Sequence, residues 1–168
     1  FCPSRCSYCS FVSHSVEKAG KLSPAYVDCM VREIAAAGES AARCGMKLET
    51  IYFGGGTPTV LTADQLRRVT KAVKDHFDVG AAREYTCEAG RPDTIDKEKL
   101  QVLKEGGVTR ISINPQTMDD DVLRIIGRRH TAADVEASFG LARSIGFTNI
   151  NMDLIAGLPG DNAEGFRR

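Results

Sequence analysis

The stretch that decides the fold, residues 49–77, reads ETIYFGGGTPTVLTADQLRRVTKAVKDHF. Its first five residues predict a short strand, and GGGTPT at 54–59 predicts a turn. Thr62 and Gln65 have the spacing of a capping box, which marks the start of a helix. The helix has an apolar stripe at helical spacing, formed by Leu66, Val69, Val73 and Phe77. A strand, a turn and an amphipathic helix therefore follow one another here.

Strands and helices alternate along the rest of the chain. Further strands are predicted at 84–88, 109–114 and 148–154, and helices at 97–105, 119–126 and 131–145, the last opened by a capping box of Thr131 and Asp134. Upstream, Ser23 is predicted to cap a helix with Pro24 in its first turn, and this helix ends near Cys44. Because parallel neighbours need a crossover, short links between alternating strands and helices predict a parallel sheet covered by helices.

Residues suited to binding and catalysis follow the ends of these predicted strands. They are the glycines 54–56, Glu88, Asn114 with Gln116, and Asp153. This placement is typical of the active rim of a β/α barrel. An open nucleotide-binding sheet would carry G-x-G-x-x-G or G-x-x-x-x-G-K-[ST], and neither motif occurs. We therefore expect an α/β fold, a partial (β/α) barrel with parallel strands alternating with helices.

The composition limits the function classes. The chain has 168 residues, 42% hydrophobic and 26% charged, which suits one domain with a real core. Lys plus Arg equals Asp plus Glu at 22 each, so no net positive field draws the protein to nucleic acid or acidic membranes. No apolar run approaches the roughly 20 residues that cross a bilayer. We expect a cytoplasmic protein with neither a nucleic-acid nor a membrane partner.

Cys2, Cys6 and Cys9 lie within eight residues. Three thiolates on one tight loop can each take a corner of an iron-sulfur cubane, and the lack of a fourth local cysteine leaves one iron open to a small molecule. A zinc site that uses these cysteines and His14 is the alternative. The scattered cysteines do not resemble a disulfide framework, and we expect them to be reduced, at least partly buried and without chemistry: Cys29, Cys44 and Cys87.

The cysteine spacing, with Tyr8 before the third cysteine, resembles the radical S-adenosylmethionine (SAM) superfamily. GGGTP at 54–58 resembles its oxygen-independent coproporphyrinogen III oxidase branch. Four further segments are most similar to the HemZ-type coproporphyrinogen dehydrogenases: EAGRPD at 88–93, SINPQTM at 112–118, GRRHT at 127–131 and NMDLIAGLPG at 151–160. The resemblance implies that residues 1–168 are a radical SAM core domain, a fragment that lacks most of the first strand and the C-terminal part.

The resemblance also implies a cofactor site. Cys2, Cys6 and Cys9 would hold three irons of a [4Fe-4S] cluster, and the fourth iron would bind SAM. The implied SAM contacts are Tyr8 at the adenine, Gly55, Gly56 and Thr57 along the methionine part, Glu88 at the methionine or ribose, Gln116 and Arg128 near the carboxylate and ribose, and Asp153 near the ribose hydroxyls. From the residues alone, the alternatives are a sharp glycine turn, solvated strand ends at Glu88 and Asp153, a surface Arg128, and a Tyr8 packed against the barrel.

The implied activity is a radical SAM oxidoreductase. Its cluster would cleave SAM, and the 5′-deoxyadenosyl radical would start the oxidative decarboxylation of coproporphyrinogen III propionates to vinyl groups in haem biosynthesis. The implied partners are a porphyrinogen or haem-type small molecule and an electron donor protein such as a flavodoxin or ferredoxin. Phe11 stands where the best-understood oxidases carry another cysteine. A haem-binding chaperone of the same branch, without oxidase activity, is therefore the second hypothesis.

Overall fold

The computed structural model describes residues 1–167. Within them, one sheet of four parallel strands has the strand order of the sequence. The strands are β1 (Thr50–Phe53), β2 (Glu84–Glu88), β3 (Arg110–Ser112) and β4 (Asn149–Asn151). The sheet is not closed between β1 and β4 among these residues, as a partial barrel requires. The predicted α/β class and the parallel alternation are confirmed.

The helices follow the predicted alternation. They are α1 (Val16–Ala19), α2 (Ser23–Arg43), α3 (Ala63–His76), α4 (Lys97–Glu105), α5 (Asp120–Ile125), α6 (Ala132–Ile145) and α7 (Ala163–Phe166), as far as residue 167. Both predicted capping boxes are present, at the starts of α3 and α6. No helix in the described part of the chain is both long and apolar enough to cross a membrane.

The two faces of the sheet differ in polarity. One face packs against α2, α3, α4 and α6 and contributes apolar side chains to the core: Ile51, Phe53, Tyr85, Cys87, Ile111, Ile113 and Ile150. Side chains alternate along a strand, so the residues between these point to the opposite face. That face is polar, with Tyr52 on β1, Glu84, Thr86 and Glu88 on β2, and Arg110 and Ser112 on β3. The sheet thus presents polar groups away from the helices.

Ser23 does not cap α2, contrary to the sequence prediction. A 3₁₀ turn at Gly20–Leu22 leads directly into the helix, and Leu22, already helical in its dihedral angles, takes the cap position. The Ser23 hydroxyl instead donates to Gln65 Oε1 at 3.2 Å, in the capping box of α3. The prediction failed because a tertiary partner, rather than the local chain, uses the hydroxyl.

β3 and β4 are shorter than predicted, with three residues each instead of six and seven. Pro115 has no N–H to continue the ladder. Pairing nevertheless resumes as an isolated bridge between Gln116 and Leu154. The two chains therefore stay side by side beyond the strand ends, but not as regular strands.

The scattered cysteines are unpaired, as predicted, but their predicted burial is right only for Cys87. Cys29 and Cys44 are exposed. On α2 the inward side is defined by Val27, which is fully buried, and a residue two positions later points to the opposite side of a helix. Cys29 therefore faces outward, and Cys44 lies at the exposed end of the helix.

Gly38 and Gly140 both lie inside helices, but a methyl group would meet different surroundings. At residue 38, a Cβ would lie 2.6 Å from the His76 Cβ and 2.9 Å from its main-chain oxygen, while at residue 140 nothing lies within 4 Å. We expect Gly38→Ala to destabilise the full chain by about 1–3 kcal/mol, because α3 must move. Gly140→Ala should stabilise it by about 0.5–1 kcal/mol through helix propensity. Denaturant unfolding measures both, and shifts of the same sign would contradict this packing.

Candidate functional site

The loop that carries Cys2, Cys6 and Cys9 is held by main-chain hydrogen bonds. The Cys2 N–H donates to His14 O at 3.0 Å, and the Val16 N–H donates back to Cys2 O at 3.0 Å. Farther along, the Ser7 N–H donates to Ile126 O, just after α5, at 3.0 Å, and the Cys9 N–H closes a turn onto Cys6 O at 3.2 Å. A loop without regular structure is thus fixed at several points along its length.

The three cysteines line one open cleft of about 200 Å³. Every predicted site residue except Gln116 and Asp153 lines it: Cys2, Cys6, Cys9, Tyr8, Gly55, Gly56, Thr57, Glu88 and Arg128. The cysteine loop and the ends of β1 and β2 therefore meet at a single place. This is the arrangement expected at the active rim of a barrel.

The glycine turn after β1 contacts the cysteine loop directly. A Cβ on Gly56 would lie 2.5 Å from the Phe1 carbonyl oxygen, so the absence of a side chain lets the two main chains touch. Thr57 Oγ1 donates to Cys2 Sγ at 3.5 Å. Gly55 has φ 114°, and a Cβ there would meet no heavy atom within 4 Å. One side of the turn therefore packs on the loop while Gly55 borders open space.

The Glu88 carboxylate is held by two donors. The Tyr52 hydroxyl donates to Oε1 at 2.6 Å, and the Gly55 N–H donates to Oε2 at 3.1 Å. A Cβ on Gly54 would lie 2.5 Å from the Tyr52 ring and 3.0 Å from Glu88 Cδ, so this glycine makes room for the pair. The hydrogen bond to Glu88, with burial and the carboxylate charge, raises the pKa of Tyr52 to about 12. Sequence reasoning missed Tyr52, although strand alternation from the core residue Phe53 places it on the polar face.

Arg128 and Tyr8 form a second pair. The Arg128 Nη2 and Nε donate to the Tyr8 hydroxyl at 2.6 and 3.2 Å, and Nη1 donates to Gly90 O at 3.0 Å. Arg128 is buried, so it is not the surface residue that the alternative interpretation allowed. Burial raises the pKa of Tyr8, while the guanidinium acts in the opposite direction. Tyr8 is 39% exposed and borders the cleft.

Gln116 and Asp153 lie together but outside the lining of the cleft. The Gln116 N–H donates to Asp153 O at 3.0 Å, and Gln116 has φ 70°, which is unusual for a residue with a side chain. Its side chain is buried, whereas Asp153 is exposed and accepts from Asn151 Nδ2 at 2.8 Å. The structure joins these two residues to each other, and their role in binding SAM stays a prediction.

Arg91 and Asn114 also line the cleft, and sequence reasoning gave neither a role. Each has a buried polar atom without a hydrogen-bond partner, Nη1 of Arg91 and Oδ1 of Asn114. Buried groups of this kind are normally satisfied, so these two atoms are exceptions among the residues that line the cleft. Among residues 1–167, no three His, Cys, Asp or Glu side chains gather closely enough to hold a single metal ion.

Comparison with known proteins gives consistent results. The family profile described as the Radical SAM superfamily matches residues 1–168. The oxygen-independent coproporphyrinogen-III oxidase-like protein HemZ of Bacillus subtilis is 43% identical over 99% of this chain and 34% of its own length. The heme chaperone HemW of the same organism is 40% identical over 95% of this chain and 41% of its own.

Among solved structures, the coproporphyrinogen III oxidase HemN from Escherichia coli, described as a radical SAM enzyme, matches with a TM-score of 0.86. It is 30% identical, and the match covers 99% of this chain and 37% of that one. The chain thus spans about a third to two-fifths of the length of these relatives. The resemblance stated from the motifs is confirmed.

The two glycines of the turn should respond differently to alanine. Gly56→Ala forces the main chain next to Cys2 to move, so we expect several times less iron per chain after anaerobic reconstitution. Gly55→Ala costs about 1–2 kcal/mol of backbone strain but leaves the cysteine loop in place. Its methyl group enters the open space, so iron content should be normal and SAM affinity about tenfold lower, which is about 1.4 kcal/mol. Iron analysis and calorimetry measure these effects, and equal iron loss in both variants would contradict this geometry.

Replacement of Glu88 by glutamine should lower the pKa of Tyr52. Without the carboxylate charge, the tyrosinate form is less disfavoured, so the pKa should fall from about 12 toward the ordinary value of about 10. NMR of ring-labelled tyrosines between about pH 9 and pH 11 should show Tyr52 ionising in Glu88→Gln but not in the wild type. Tyr85, whose pKa is raised by burial on the other face, is the internal control. Equal titration of Tyr52 in both proteins would refute the pairing.

Proposed function

The chain belongs to the radical SAM superfamily, and we propose that it is the catalytic core of an oxidoreductase that converts coproporphyrinogen III propionates to vinyl groups. The superfamily uses a [4Fe-4S] cluster and SAM. One observation carries the proposal. The cysteine loop, the glycine turn and Glu88 border a single cleft, although they are far apart in the sequence.

The residues around the cleft fit these cofactors. Cys2, Cys6 and Cys9 are unpaired thiols on one loop and would hold three irons. Thr57 already donates a hydrogen bond to Cys2 Sγ, as donors to cluster ligands do. Open space at Gly55 leaves room for a ligand beside the main chain. When bound, the cluster and SAM together supply a one-electron reduction and a carbon-centred oxidant that removes a hydrogen atom from the substrate.

The chain's own groups would orient SAM. The Glu88 carboxylate, fixed by Tyr52 and Gly55, is suited to accept hydrogen bonds from an ammonium group. Arg128 would hold the carboxylate, because a guanidinium can donate two parallel hydrogen bonds, and Tyr8 offers an exposed ring face for the adenine. Gly56 and Thr57 would lie along the methionine part. Gln116 and Asp153 would contact the ribose.

The similarity to HemZ and HemN supports the proposed substrate. Each propionate would lose a hydrogen atom, carbon dioxide and one further electron, which an acceptor takes up. A flavodoxin or ferredoxin would reduce the cluster, because the reaction needs one electron from outside. The six cysteines are unpaired, which supports a reducing, cytoplasmic setting.

A haem chaperone of the same branch is the second candidate. The 40% identity to HemW favours it, and so does Phe11, which lines the cleft where oxidases of the branch carry another cysteine. Such a protein would keep the cluster and the SAM site. It would differ in binding haem without converting coproporphyrinogen III.

The deciding experiment uses the full-length protein, reconstituted anaerobically with iron and sulfide. We expect SAM, a reductant and coproporphyrinogen III to yield 5′-deoxyadenosine together with the divinyl product. Both should vanish in Cys6→Ser, whereas Cys29→Ser, which alters an exposed cysteine outside the cleft, should retain both. A cluster that forms without any divinyl product, combined with stable haem binding, would favour the chaperone. A protein that takes up zinc and no cluster would contradict both candidates.

A further inference from the structure

Arg91 is a buried charge without a carboxylate partner. It follows β2 and precedes the 3₁₀ turn Pro92–Thr94, and it is only 3% exposed. Its guanidinium stays charged at any relevant pH. No ion pair to Arg91 is found in the described residues 1–167. Because an unpaired buried charge is costly, an anion is expected to complete this environment.

The Arg91 guanidinium is hydrogen-bonded to the cysteine loop. Arg91 Nη2 donates to the carbonyl oxygen of Ser4 at 2.6 Å and to its hydroxyl at 2.8 Å. Ser4 lies between Cys2 and Cys6, and its hydroxyl also donates to Gly127 O at 3.3 Å. The charge is therefore fixed to the segment that joins two of the proposed cluster ligands.

One nitrogen of Arg91 is unused. Nη1 is buried and has no hydrogen-bond partner, and the residue lines the same cleft as the three cysteines. Arg128, the other buried guanidinium of the cleft, differs because each of its nitrogens donates to Tyr8 or to Gly90. His130 adds no charge at neutral pH, since burial and the nearby Arg128 lower its pKa. Arg91 is thus a buried cation that is hydrogen-bonded to the cysteine loop.

We propose that Arg91 sets the reduction potential of the cluster by holding a positive charge beside the cysteine loop through Ser4. The inference rests on the proposed ligation by Cys2, Cys6 and Cys9. Reduction adds one negative charge to a site that already contains three thiolates. A fixed cation nearby stabilises the more negative state, so it raises the potential, as charge and hydrogen bonds do in other iron-sulfur sites. The bound cluster would in turn supply the anion that Arg91 lacks.

The test is a redox titration of the full-length, reconstituted protein without SAM or substrate, followed by electron paramagnetic resonance. Arg91→Gln keeps an N–H donor for Ser4 but removes the charge, whereas Arg91→Lys keeps the charge. At the wild-type midpoint, the ratio of reduced to oxidised cluster should be about tenfold lower in Arg91→Gln, which equals about 59 mV for one electron. Arg91→Lys should recover most of this shift. Arg143→Met should leave the midpoint unchanged, because Arg143 grips main-chain oxygens of Phe147 and Thr148 away from the cleft.

The outcomes separate the inference from the proposed function. Equal midpoints in the wild type and Arg91→Gln, at full iron content, would overturn the role of Arg91. So would an equal shift, or equal loss of the cluster, in the glutamine and lysine variants. Loss of the cluster in Arg91→Gln with retention in Arg91→Lys would also overturn it, since the charge would then hold the cluster rather than set its potential. A wild-type protein that forms no cluster contradicts the proposed function instead, before any variant is compared.

Discussion

Three sulfurs must be held still by a loop that has no regular structure of its own. Helices and strands fix side chains through their internal hydrogen bonds, but the segment from Cys2 to Cys9 has to obtain this rigidity from its neighbours. The neighbours are the end of α5 through Ile126, Arg91 through Ser4, and the glycine turn through its contact with Phe1. The rest of the site depends on this anchoring, because the fold brings each neighbour to the loop at the carboxyl ends of the strands.

Hydrogen bonds from neighbouring groups orient the charged side chains of the cleft. Glu88 is satisfied by Tyr52 and a main-chain N–H, and Arg128 by Tyr8 and a carbonyl, so both charges are already oriented before a ligand arrives. Such preorganisation reduces the reorganisation needed when a ligand binds. Arg91 is the exception, since part of its guanidinium has no partner among the described residues. Of the two buried guanidinium groups that line the cleft, Arg91 is thus the one with an unpaired nitrogen.

The features that were predicted correctly from the sequence are those that depend on residues close together in the chain. Both capping boxes and the bounds of β2 and α4 follow from residues within a few positions of each other, and the structure confirms them. The parallel sheet also followed from the alternation of strands with helices, and the structure confirms it. Cys29 was placed wrongly although its helix periodicity, counted from Val27, points it outward. That error was avoidable from the sequence.

The other differences come from contacts between distant positions. Ser23 does not cap its own helix, and its hydroxyl donates to Gln65, which is 42 residues away in the sequence. Tyr52 reaches Glu88 across 36 residues, and Arg91 reaches Ser4 across 87. No local pattern encodes such pairs. They become visible only when parallel pairing brings successive strand ends to one edge of the sheet.

Relatives with an oxidase-like name and with a chaperone name are similar to this chain to nearly the same degree. HemZ and HemW of one organism are 43% and 40% identical to this chain over nearly its whole length, so the shared core does not by itself separate the two names. The cysteine loop, the glycine turn and Glu88 serve cluster and SAM in the proposed function, which both candidates share. Phe11 is 75% exposed and lines the cleft, so a cysteine at this position would bring a thiol to the cleft, whereas phenylalanine brings an apolar ring.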